Sequence, residues 1–354
     1  MTGNLIIRNI KRLFLASDQT LPCKGGKEQA NVPTIDNAYL LIENGRISSY
    51  GPDPEAPELR YPILDATDRF ILPSWVDSHT HIVSAKSRES EFVDKIKGLG
   101  YEEIAKRGGG ILNSARTLAE TSEDDLFISA WNRLTEIIGM GTGAVEIKSG
   151  YGLSYESELK MLRVIKRLKE KSQIPIKATF LGAHAYPLQY REDHKAYIDL
   201  IVSQMLPDIA AEGLADYIDV FCDRGFFSPG ETETILEAGA KYGLKPKIHA
   251  NELDYSGGVQ VGVKHGAISV DHLECVGPDE LEALKGSGTI ATLLPSTAFF
   301  LGIDYAPARK IIDYGIPVAI ASDYNPGSSP SGNMPLVLSL SCIQMKMLPE
   351  EALR

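Results

Sequence analysis

Cysteine is scarce: four residues in 354, Cys23, Cys222, Cys275 and Cys342, with no CxxC pair among them. That scatter excludes a disulfide-stapled scaffold and points to a reducing cytoplasm. Positive charge is also short, with 36 Lys and Arg against 47 Asp and Glu, a net charge of −11 and a pI near 5.2. Nucleic-acid surfaces concentrate positive charge to displace phosphate counterions, so no nucleic-acid partner is expected. Long apolar runs are missing as well. Leu5-Ile6-Ile7 is interrupted by Arg8 and then by Lys11-Arg12, which leaves neither a signal segment nor a membrane span. Nor is there an internal repeat, a low-complexity tract or a long linker.

What is present is enough apolar residue, 43% of the chain, for a substantial core. The length favours a large barrel with a smaller appendage over one sandwich. Two regions differ in the period of their apolar residues. Residues 1–68 read as short strands joined by turns: Leu5 to Ala16, Ala38 to Glu43, an Asn44-Gly45 pair suited to a type I′ hairpin, and Arg46 to Tyr50. From residue 69 the pattern alternates strand and helix, which predicts parallel βα units. Eight strands are expected, at Phe70–His81, Gly143–Ser149, Pro175–His184, Tyr217–Asp223, Pro246–Asn251, Ala267–Glu274, Thr289–Pro295 and Pro317–Asp323. Between them, Ser228-Pro229-Gly230-Glu231 has capping-box spacing with proline at the first helical position, for a helix that stops at Gly243. Leu159, Leu162, Ile165 and Leu168 form a core stripe on a helix over Glu156–Lys171. The expected fold is α/β, a (β/α)8 TIM barrel with a small β-sandwich appendage, and its active site belongs at the carboxyl ends of the strands.

Five side chains then fall at one mouth. His79 and His81 end strand one, His249 ends strand five, His272 strand six and Asp323 strand eight. Residues two apart on a strand share a side, so His79 and His81 can hold one cation, with Asp77 on that side as a supporting partner. Nitrogen and oxygen donors suit zinc or iron better than calcium or magnesium. His194 and His265 read as helix-surface histidines.

Eight segments carry a family resemblance: Val76 to His81, Ser87-Arg88-Glu89, Gly108 to Ile111, Glu146 to Gly152, Phe180 to His184, Lys247 to Ala250, Asp271 to Glu274 and Asp323 to Pro330. Together and in order they resemble the amidohydrolase superfamily and, within it, the branch that opens an imidazolone ring in histidine degradation. The resemblance implies a hydrolase of cyclic amides that binds one divalent or trivalent metal ion, zinc or iron, through His79, His81, His249 and Asp323. It makes His272 a site histidine rather than a principal ligand. Strand four ends in Val220-Phe221-Cys222-Asp223, without the lysine that relatives with two metals use.

Glu252, His272 and Asp323 are the implied catalytic residues. A bound ion lowers the pKa of water from about 15.7 to about 7, and Glu252 is placed to accept its proton and return it to the leaving ring nitrogen. His272 either stabilises the developing oxyanion or orients the water. Arg88, Tyr151, His184, Glu252, Asn325, Gly327 and Ser328 match the family's substrate contacts, Arg88 being the natural fork for a carboxylate tail. Gly108-Gly109-Gly110 is either an anion-binding nest or a turn. Lys86 stands where relatives usually have a small residue. The chain ends at Arg354, just after Pro349-Glu350-Glu351 starts a helix, whereas relatives continue into strands that complete the appendage, so a fragment or a short natural chain is expected. The expected assembly is a cytoplasmic homodimer acting on a small molecule, away from membranes. Two other readings stand beside this one: another cyclic-amide hydrolase or aromatic deaminase, which differs at Arg88, Tyr151 and 325–328, and a non-catalytic metal-binding relative.

Overall fold

Two separate sheets account for the strands, in a computed structural model that describes residues 3–15, 23–98 and 109–354. The smaller sheet is built from β1 (Leu5–Phe14), β2 (Thr34–Glu43), β3 (Arg46–Pro52), β4 (Ile63–Asp65) and β5 (Phe70–Ile71), in the order β3-β2-β1-β4 with β5 also paired to β1. β2 and β3 form the hairpin that Asn44-Gly45 predicts. Both turn residues have positive φ, 53° and 74°, which matches the twist a two-residue turn must supply. Ile7, Ile10, Leu13, Ala38 and Leu40 form this sheet's own apolar cluster.

The larger sheet is parallel and ordered β14-β13-β12-β11-β9-β8-β7-β6. Its strands are β6 (Trp75–Thr80), β7 (Thr142–Lys148), β8 (Ile176–Ala183), β9 (Tyr217–Cys222), β10 (Lys245–Pro246, paired with β9), β11 (Ile248–Ala250), β12 (Ser269–His272), β13 (Ile290–Leu293) and β14 (Val318–Ile320). First and last strands meet beyond β14. Thr80 bridges Tyr324, the Asp323 amide donates to the His79 carbonyl at 3.0 Å, and the His81 amide donates to the Tyr324 carbonyl at 2.9 Å. This is the (β/α)8 barrel, and the backbone of the proposed ligands closes it.

One expected strand is divided. Phe70–His81 splits into β5, which pairs Phe70 and Ile71 with Arg12 and Leu13, and β6, which opens the barrel. Pro73 lies in the break, where a residue without an N–H ends one ladder before the next begins. The strand expected to run to Ala16 ends at Phe14, and residue 16 lies outside the described residues.

Helices cover the barrel as their periodicity predicts. Helix Tyr155–Lys171 buries Leu159, Leu162, Ile165 and Leu168, and also Met161 and Val164, so the buried stripe is wider than the four-residue one expected. Each such side chain contributes about 1.5–3 kcal/mol. Helix Pro229–Ala240 begins with the full capping box, the Ser228 side chain accepting from the Glu231 amide and the Glu231 side chain from the Ser228 amide. Gly243, at φ 76°, follows it. Among the described residues no helix is long and apolar enough to cross a membrane.

Candidate metal centre

At the barrel mouth the side chains of His79, His81 and His249 each present one ring nitrogen, and the three nitrogens lie within 4.8 Å of one another. Asp323 completes the approach. Its Oδ1 is 3.5 Å from Nε2 of both His79 and His81, while its Oδ2 accepts a hydrogen bond from Thr297 Oγ1 at 2.7 Å. Two donors at about 2.0–2.2 Å from a tetrahedral ion sit roughly 3.4 Å apart, so this spacing suits one small cation. The Nε2 of His79 is buried with no hydrogen-bond partner, as expected of an atom reserved for a ligand bond. Burial holds His79 and His81 well below the ordinary histidine range, and His184 is pushed down to about 3 for the same reason. Neutral imidazoles are the form a metal binds.

Local backbone aims these groups. The β6–β7 ladder slips between Asp77 and Thr80, a bulge at the segment that carries His79. His272 and Asp323 have φ of 83° and 52°, conformations in which non-glycine residues are strained and which cluster at functional sites.

Under the histidines lies a buried charged layer that sequence reasoning missed. Asp271 Oδ2 accepts from His79 Nδ1 at 2.7 Å, and Asp219 Oδ2 lies 3.0 Å from His249 Nδ1, an ionic contact bent out of hydrogen-bond line. Lys148, from the end of β7, places its ammonium 2.9 Å from Asp219, 3.0 Å from Glu146 and 3.7 Å from Asp271. Lys247 stands 3.3 Å from Asp271. Burial alone pushes Asp219 and Asp271 upward, but the facing His249 and Lys148 hold Asp219 low, and Lys247 with Lys148 does the same for Asp271. The available signal was a set of charged residues inside otherwise apolar strands. Asp77, the expected support for the histidines, meets the backbone of His79 rather than a ring, and it accepts from the amide and hydroxyl of Ser322, which ties strand one to strand eight. Burial raises it to about 7.

Glu252 and His272 face each other, Oε2 to Nε2, at 3.6 Å. Burial pushes the Glu252 carboxyl up. It opposes charge on His272 too, yet the carboxylates of Glu252, Glu274 and Asp323 carry that imidazole up. Asp223 steadies this loop by accepting from the Glu252 and Leu253 amides at 2.8 and 2.9 Å, a role invisible in the sequence.

Tyr151 and His184 line the same mouth. The His184 ring stacks on His81 at 5.5 Å and Tyr151 approaches both edge-on, while His184 Nδ1 pairs with the Gly150 carbonyl at 3.0 Å. Asn325 is occupied in shaping a turn: its Oδ1 accepts from the Gly327 and Ser328 amides, both at 2.8 Å, and its Nδ2 donates to the Asp323 carbonyl. The Arg88 guanidinium lies directly on Gly327, where any Cβ would collide with it, and donates from Nε to Glu91 Oε2 at 2.9 Å. Glu91 also accepts from the Gly110 amide at 3.0 Å, so within Gly108-Gly109-Gly110 that amide is already engaged, and Gly108 lies outside the described residues. Lys86 points to solvent, His194 stacks on Tyr186, and His265 pairs with Glu233.

No family model matches the chain. Curated relatives do. It is 54% identical over 350 residues to an imidazolonepropionase of Christiangramia forsetii, across 99% of this chain and 85% of that one. The identity is 56% over 349 residues with the imidazolonepropionase of Flavobacterium psychrophilum (98% and 85% covered), and 41% over 353 with that of Thermoanaerobacter pseudethanolicus (100% and 84%). Among solved structures it superposes on a 5-methylcytosine deaminase from Klebsiella pneumoniae with a TM-score of 0.70 (16% identity, 97% of this chain and 81% of that one). A guanine deaminase from C. acetobutylicum gives 0.67 (16% identity, 97% and 80%). At such identities the structures speak to the fold alone.

Proposed function

The chain belongs to the imidazolonepropionase family, and from that premise we propose that the mouth of its barrel hydrolyses the cyclic amide of 4-imidazolone-5-propanoate to N-formimidoyl-L-glutamate in histidine degradation. The observation that carries the reading is the placement of Asp323 Oδ1 at 3.5 Å from both His79 and His81 beside His249, with Glu252 and His272 facing each other at the same mouth.

His79, His81, His249 and Asp323 would hold one zinc or iron ion. Such an ion would supply Lewis-acid polarisation of the ring carbonyl and would let a water lose its proton near neutral pH, giving the hydroxide nucleophile. Glu252 is the group that would take a proton from the attacking water and return it to the ring nitrogen that leaves, a task suited to a carboxyl raised by burial toward neutrality. His272, held charged by three carboxylates, donates to the oxygen on which charge develops. Arg88 binds the propionate tail, held in place by Glu91 and admitted by the bare backbone of Gly327. Tyr151 and His184 wall the ring, and Asn325 and Ser328 shape the turn beside it. We place this chemistry in residues 69–354, with 1–68 as appendage, in a cytoplasmic homodimer; four free cysteines support the reducing compartment.

The test is the rate at which the metal-loaded chain consumes fresh imidazolone propionate, followed by loss of the ring's ultraviolet absorbance. Turnover that a chelator abolishes and zinc or iron restores is the expected result. A chain that binds metal and leaves the substrate intact overturns it.

A further inference from the structure

Lys148 has no part in the chemistry above, and it is fully buried beneath the ligand layer, out of reach of any substrate in the mouth. We propose that Lys148 is the positioning residue of the metal centre: its ammonium pins the carboxylates of Asp219 and Asp271, which in turn fix the rings of His249 and His79. This rests on the ligand set proposed above.

The geometry forms a short relay in two branches. From Lys148 Nζ one step of 2.9 Å reaches Asp219 Oδ2, and the same oxygen lies 3.0 Å from His249 Nδ1. The other branch runs 3.7 Å to Asp271 Oδ2, which accepts from His79 Nδ1 at 2.7 Å. Asp219 Oδ1 also accepts from the His249 amide at 3.1 Å, so that aspartate orients both the ring and the strand of its histidine. A carboxylate at Nδ1 leaves the other ring nitrogen to face the cation.

Charge explains why a lysine is needed there. Asp219, Asp271 and Glu146 converge in a space closed to water, where like charges repel strongly and are costly without a counter-ion. Lys247 serves Asp271 but donates also to the Ser78 carbonyl at 3.1 Å, and among the described residues Lys148 alone spans all three. Its own position is fixed by register: Glu146 and Lys148 share the inward side of β7, and Thr179 on β8 donates to Glu146 from across the ladder. Without the ammonium the two aspartates move apart, and both histidines lose their alignment together.

The experiment uses the full chain, with Lys148→Met and the double variant Lys148→Met/Glu146→Gln. The double variant removes one of the converging carboxylates together with the ammonium, so less bare charge stays buried than in the single variant, while Asp219 and Asp271 still face His249 and His79. Zinc affinity is measured by competition with a chromophoric chelator, and the Co(II)-substituted proteins are compared by visible absorption. The expected result is affinity weaker by about 10–100-fold with altered Co(II) bands in a natively folded variant. A purely structural lysine lowers the melting temperature and leaves both readouts untouched, and that outcome overturns the proposal. So does failure of both variants to reach a native circular-dichroism spectrum, since the lysine then acts in folding. A wild-type chain that retains no zinc overturns the ligand set and this proposal together. Absence of ring opening bears on the substrate alone, because neither readout uses it.

Discussion

In the proposed mechanism Glu252 and Arg88 divide the work of the mouth between proton transfer and binding, and each can be removed separately. The Glu252 backbone is held by Asp223, and its carboxylate faces His272 rather than any of the proposed ligands, so Glu252→Gln is expected to lower kcat by about 10²–10⁴-fold while elemental analysis finds unchanged metal. Wild-type turnover in that variant rules the role out. Arg88 contributes a charged fork, and Arg88→Met is expected to cost about 1.5–3 kcal/mol of substrate binding, read as a raised KM with kcat largely kept. A lowered kcat at unchanged KM assigns the arginine elsewhere. The candidate ligands were visible in the sequence because histidine and aspartate are conspicuous at the ends of apolar strands. Asp219, Asp271 and Lys148 were not, since a charge inside a strand shows its partners only after the barrel has closed.

At the level of elements, the turn at 325–329 positions the proposed substrate contacts by backbone means. Asn325 folds the chain over Gly327, the Asn325–Ser329 bridge closes the turn, and the guanidinium of Arg88 rests where a side chain cannot. Gly327→Ala is therefore expected to displace Arg88 and lower kcat/KM toward the Arg88→Met value without changing metal affinity. Unchanged kinetics shows that the arginine's place is set from elsewhere. The capping box at Ser228 and the Asn44-Gly45 hairpin were legible in advance because both are local chemistry. The division of Phe70–His81 was not, because the small sheet competes with the barrel for the same run and only the position of β1 decides the boundary.

Across the whole molecule, the segment that follows the first strand is tied to the base of the barrel by one buried amide. Gln29 donates to the carbonyls of Val318 and Glu351 at 2.9 and 3.0 Å and accepts from the Val318 amide at 3.1 Å. Gly25 beside it packs so closely on Gly315 and Pro317 that a Cβ has no room. Gln29→Ala leaves those groups without partners at a cost of about 1–3 kcal/mol. The urea midpoint is expected to fall while the metal affinity of the folded protein stays constant. An unmoved midpoint shows that the tie is dispensable.

The sequence by itself determined the fold class, the order of strands and helices, and the side chains that mark one end of a barrel, because periodicity and strand termini are local properties of the chain. The tertiary structure decided what surrounds those side chains: which carboxylate orients which histidine, that Asp77 ties two strands together and meets the backbone rather than the ring of a histidine, and that Lys148 lies beneath them all. Partners far apart in sequence meet only when the barrel closes, and its closing seam runs through His79 and Asp323.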